Sequence, residues 1–129
     1  MKWYLLPWQR LAEFNGRSCR MEFWMYSLFY VVIFLALFGG FFGLAHLQGM
    51  IGAVCIFLCI AYAIAAFVPG LACAVRRLHD TNRTGWWILL GLIPVINIVL
   101  IVLLALDGTP GDNRYGANPK VIQLPAAIG

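Results

Sequence analysis

From Phe23 to Val75 the chain carries no Asp, Glu, Lys or Arg, a run of 53 residues broken only by His46 and Gln48. A membrane-spanning helix needs about 20 consecutive apolar residues. The run therefore holds two spans and one tight connection, with helices expected near 23–45 and 51–75 and the connection at 46–50. Spanning segments are helical because no water is present in the hydrocarbon to satisfy the backbone. Composition agrees. The apolar class makes up 63% of the residues and charged residues 11%, against about 45–50% and about 25% in ordinary globular domains. A chain of 129 residues allows one domain and has little interior in which to hide that much apolar surface from water. An all-α integral membrane protein is the expected fold class.

The segment Arg76–Arg83, RRLHDTNR, is polar and basic. After Gly85 a third uncharged stretch runs from Trp86 to Leu106, with Pro94 and Asn97 at its middle. Proline removes a helix hydrogen bond, so this stretch is either a kinked span or a re-entrant hairpin. Its length favours spanning, and a bundle of about three hydrophobic helices is expected, with the third near 86–106. The organisation is then an N-terminal interfacial segment (1–22), a membrane domain (23–106) and a turn-rich tail (107–129). The N-terminal segment mixes Lys2, Arg10, Arg17 and Arg20 with Trp3, Tyr4 and Trp8, a mixture suited to lipid headgroups. A short interfacial helix is expected to start after Pro7. The first apolar segment is too long for a cleavable signal and no A-x-A site follows it, so it reads as an anchor that is retained.

Lys and Arg near the ends of spans set orientation. The N-terminal flank has four, the 46–50 connection none and the 76–85 connection three. That bias puts the N-terminus and the RRLHD loop in the cytoplasm of a multi-pass protein. A third full span would put Arg114 and Lys120 outside; re-entry would keep all nine Lys and Arg inside. The net charge of +4 is thus read as topology and does not argue for nucleic acid.

The four cysteines, Cys19, Cys55, Cys59 and Cys73, form no CxxC pair and no loop-borne disulfide framework. Cys55, Cys59 and Cys73 share a helical face, but a thiolate within the membrane is costly, and they read as packing residues. Small residues recur four apart at Gly39 and Gly43 and at Ala61 and Ala65, a spacing that lets helices approach closely in lipid. Arg76, Arg77, His79, Asp80 and Arg83 form the densest polar cluster. On a helix running past Val75, Arg76 and Asp80 are i, i+4 neighbours, with Arg77 and Asp80 the i, i+3 alternative. His79 and Asp80 are adjacent, so their side chains diverge on a helix, and no nucleophile is fixed beside them. Trp86 and Trp87 read as interface anchors. Asp107, Asp112 and Asn113 lack the spacing of a calcium loop and read as turn residues.

Three strings in order resemble one known family. FNGRSCRMEFW (Phe14–Trp24), RRLHDTNRTGWW (Arg76–Trp87) and GTPGDNRYGANP (Gly108–Pro119) look like the opening, central and closing motifs of the bacterial membrane family called domain of unknown function 805. Asn118 stands where Asp is common in the closing motif. The resemblance implies a small protein of the bacterial inner membrane and assigns no biochemical role. It also places the motifs in the polar, non-spanning segments. If those met on one side, Arg17, Arg20, Glu22, Arg76, Arg77, His79, Asp80, Arg83, Asn113 and Arg114 would form one charged clamp or a lipid-headgroup contact.

No residue is assigned a catalytic, metal-binding or cofactor-binding role. The leading expectation is a non-enzymatic accessory or scaffold protein whose partners are membrane lipids and a second copy or another membrane protein. The alternatives are a small transporter or channel subunit and a binder of lipid headgroups at the RRLHD loop.

Overall fold

The charge-free run forms two long helices in the computed structural model, which describes residues 2–44 and 49–123. Helix α1 is Lys2–Gln9, α2 is Arg20–Leu44 and α3 is Met50–Asp80; a 3₁₀ helix, Gly85–Leu92, then precedes α4, Asn97–Ala105, and α5, Pro119–Gln123. Among the described residues there is one isolated β-bridge, Asn113–Gly116, and no strand. Both α2 and α3 are long and apolar enough to cross a membrane. His46 and Gln48, in the expected connection, lie outside the described residues.

The helices overrun the expected limits at their charged ends. α2 begins at Arg20 and α3 continues to Asp80. Glu22 falls in the first turn of α2 and Arg77 and His79 in the last turn of α3, which is the favourable arrangement at each helix pole. A boundary drawn at the first charge misses this, because a paired charge can continue a helix.

α2 and α3 approach closely at Tyr26. A Cβ added to Gly70 would lie 3.2 Å from the Tyr26 ring, and the Tyr26 hydroxyl donates to the Ala66 carbonyl at 2.6 Å. Tyr30 stacks on Tyr62 further along, with ring centroids 5.6 Å apart. Among the described residues no close approach is made at Gly39 and Gly43, since a Cβ at either position meets none of their atoms within 4 Å. Ala61 and Ala65 are exposed as well. The large rings of Tyr26, Tyr30 and Tyr62 set the helix spacing instead, and only the small residues directly under Tyr26 are needed for contact.

α1 packs on α2 through Tyr4, whose ring lies 5.9 Å from that of Tyr26 and 5.3 Å from that of Phe29. This helix precedes and includes Pro7, where the expectation had one starting after it. Pro7 is buried in the last turn, and the chain turns beyond it, held by the Arg10–Glu13 pair at 2.5 Å.

The third apolar stretch is not a single rod over 86–106. It breaks at Ile93–Ile96, and its two limbs fold against each other; a Cβ at Gly91 would lie 3.2 Å from the Leu100 side chain. Both ends return to the C-terminus of α3. Gly85 lies against Val75 and His79, and the Leu104 carbonyl accepts from Arg77 Nε at 3.0 Å. The two limbs thus make a hairpin in place of one continuous helix. Pro94 has no N–H to continue the first limb, and the Asn97 N–H bonds back to the Ile93 carbonyl at 2.8 Å. Leu78, Leu100 and Leu104 form the small apolar core beneath the hairpin.

Candidate functional site

The three polar strings converge at the C-terminus of α3. Asp80 is the hub. One of its carboxylate oxygens accepts from Arg17 Nε at 2.9 Å and the other pairs with Arg77 Nη1. Its backbone carbonyl accepts the Thr109 N–H at 2.8 Å. Burying a charge this deeply is costly without partners, and Asp80 has a guanidinium on each side.

Arginine carries five N–H donors, and Arg17 commits all of them. Beyond Asp80 Oδ1, Nη1 reaches the carbonyls of Gly111 at 2.7 Å and Gly116 at 3.4 Å, and Nη2 reaches those of Thr109 at 2.8 Å and Asp80 at 3.5 Å. The side chain is 1% exposed. Arg77, fully buried, spans from Asp80 to the carbonyls of Leu104 and Leu106, so it ties the end of the hairpin to α3. This is the i, i+3 pairing with Asp80; the i, i+4 partner Arg76 points the other way, to Glu22.

Arg76 Nη2 lies 3.2 Å from Glu22 Oε1, with both side chains buried. Arg76 Nη1 also faces Glu13 at 3.9 Å. Glu13 is itself held below its ordinary acidity range by the hydrogen bond from Arg10. The strap joining α1 to α2 lies over this pair, with the Ser18 N–H on the Arg76 carbonyl at 3.1 Å. Gly16 turns the strap with φ of +87°, a conformation that favours glycine, and its carbonyl accepts from His79 Nδ1 at 3.2 Å. The His79 ring stacks on Tyr115, centroids 3.9 Å apart. Asn113 Nδ2 closes the set by donating to the His79 carbonyl at 3.0 Å.

The remaining residues are peripheral. Arg20 is exposed and pairs with Asp107 at 2.8 Å. Lys120 also reaches Asp107 at 3.1 Å, and this contact, with Arg20 adding to it, holds that carboxyl below its usual range. Arg114 donates to the Asn82 carbonyl at 3.3 Å and lies over the Tyr115 ring. The Arg83 side chain makes no hydrogen bond or ion pair among the described residues. Thr109, Tyr115 and the carbonyls of Gly16, Gly111 and Gly116 escaped the sequence reading. Gly16 lies in the segment read as interfacial and the others in a tail read as turns and as the closing motif, and a carbonyl that accepts from arginine leaves no signature of its own.

The pairings carry a specific expectation for α2 and α3. In a double-mutant cycle read by unfolding in detergent, Glu22→Gln and Arg76→Gln should couple by about 1–3 kcal/mol, the range for buried partners in contact. Glu22 and Arg77 should couple negligibly, because Arg77 is spent on Asp80. Equal coupling to both arginines would contradict the arrangement.

The sequence profile of the family described as "Protein of unknown function (DUF805)" matches residues 11–117, a stretch that contains Arg17, Glu22, Arg76, Arg77, Asp80 and Asn113. The chain belongs to the DUF805 family. Its relatives include two Escherichia coli K12 proteins. Inner membrane protein YhaI is 40% identical over 93% of this chain and 97% of its own length, and inner membrane protein YhaH is 39% identical over 94% and 98%. A third, uncharacterized protein YiiR from the same strain, is 26% identical over 92% of this chain and 93% of its own length. No solved structure matches this DUF805 chain.

Proposed function

We propose that this chain is a non-enzymatic accessory or scaffold protein of the bacterial inner membrane. In this reading it crosses the bilayer twice through α2 and α3, dips the hairpin in from the cytoplasmic side and keeps both its N-terminus and its tail in the cytoplasm. The observation that carries the reading is the saturation of Arg17. A motif arginine with every donor spent on the chain itself is a structural tie, with nothing left for a substrate. Arg77 and Asp80 are spent in the same way. The names of YhaI and YhaH support the location, and the hairpin supports the topology, since it leaves all nine Lys and Arg on one side as the charge rule prefers. Lipid headgroups remain a second reading for Arg83 and Arg114, which have no carboxylate partner among the described residues.

Two measurements test it. In a variant with the native cysteines replaced, Gln48→Cys should react with an impermeant maleimide in intact spheroplasts, and Ala117→Cys should react only after the membrane is opened. Reaction of Ala117→Cys in intact spheroplasts would refute the two-crossing topology. Purification from native membranes in mild detergent, followed by mass spectrometry, should recover the chain with itself or another membrane protein in fixed ratio. A lone monomer would defeat the scaffold role.

A further inference from the structure

The geometry points to a binding site for one hydrocarbon chain of a membrane lipid, in the groove between α2, α3 and the hairpin. This rests on the inner-membrane placement proposed above. The groove has a volume of about 610 Å³, within the range of small-ligand sites, about 300–1,000 Å³. Ala66, Gly70 and Gly91 line it, while Val31, Phe67 and Leu89 stand at least partly exposed along it.

Its chemistry selects the occupant. The Tyr26 hydroxyl is spent on the Ala66 carbonyl at 2.6 Å, and Ser27 Oγ donates to the Phe23 carbonyl at 2.9 Å. Tyr30 is the one other lining residue with a polar side-chain group, and it stands in the stack with Tyr62. A polar or charged ligand would lose its water here with almost nothing in return. The groove's volume matches only about one turn of a helix about 10–12 Å across, a short contact for a helix of a second copy. A hydrocarbon chain is thin enough to lie along it. Left unfilled, the lining residues would forfeit dispersion contacts, and within a bilayer the nearest filler is an acyl chain. One wall is the 3₁₀ helix Gly85–Leu92, whose Ile88, Leu89, Gly91 and Leu92 line the groove.

The test is native mass spectrometry of the full chain in mild detergent, titrated with dioleoyl phosphatidylglycerol. Wild type should retain one lipid per chain. Val31→Trp and Leu89→Trp, each filling the groove from an exposed position, should lower that retention at least fivefold. Val32→Trp, an exposed neighbour outside the groove, should leave it unchanged. Dioleoyl phosphatidylethanolamine should bind within twofold of phosphatidylglycerol, because the chain and not the headgroup is held. Equal retention in all three variants, no retained lipid in wild type, a lipid-free dimer, or a strong headgroup preference would each overturn the proposal. Leu92→Cys, assayed with an impermeant maleimide, separates the two readings. Protection without lipid retention defeats the groove site alone, whereas rapid labelling defeats the membrane placement on which it stands.

Discussion

Arg17→Ala is expected to lower stability by about 3–5 kcal/mol, the cost of removing one partner from a buried ion pair. The loss has two parts. Asp80 would keep its charge and burial with only Arg77 to offset it, and the carbonyls of Thr109 and Gly111 would lose the arginine as donor. Arg17→Lys should recover less than half of the loss. An ammonium can meet Asp80, but it has three donors on a flexible stem and cannot serve five acceptors spread around a planar fork. Urea or thermal unfolding in detergent would measure both. A change below about 1 kcal/mol for Arg17→Ala, the value of an exposed pair, would mean that the clamp is decoration.

A single methyl group at residue 108 should do comparable damage. A Cβ on Gly108 would overlap the Asp80 carboxylate, lying 2.5 Å from its Cγ. Asp80 cannot retreat, because Arg17 and Arg77 hold it from both sides. Gly108→Ala should therefore cost about 3 kcal/mol or more, the overpacking penalty together with the broken pairs. Gly111→Ala is the control. Its φ is +72° but its Cβ position is open, so only the backbone penalty of about 1–2 kcal/mol applies. If the two alanine variants unfold alike, the approach of Gly108 to Asp80 is looser than described here.

How far each feature was legible depended on sequence distance. Two apolar runs with charges at their outer ends make an antiparallel pair, and that alone brings Glu22 beside Arg76. The pattern of the third stretch left span and hairpin both open; Pro94 marked the break, but only the return of Leu104 and Leu106 to Arg77 decides the direction. The role of Arg17 was hidden because its partners lie on a loop read as turn chemistry and are mostly backbone. Gly39 and Gly43 have no close neighbour among the described residues for a related reason. Spacing shows that a helix face is smooth, and what lies against it depends on the rings elsewhere along the pair.

The bonds from Arg17 to Gly111 and Gly116 join positions 94 and 99 apart in sequence. Contacts of such separation come late, because the intervening chain must be ordered first. During synthesis α2 and α3 can pair, and Arg76 can meet Glu22, as soon as Asp80 has emerged. Arg17 can meet Asp80 at that stage, but its bonds to Thr109, Gly111 and Gly116 wait until the ribosome has delivered residue 116. The clamp is thus a signature of completion. A chain cut short before Gly108 would have a finished helical hairpin and an open, charged seam at Asp80, because Thr109, Gly111 and Gly116 would be absent.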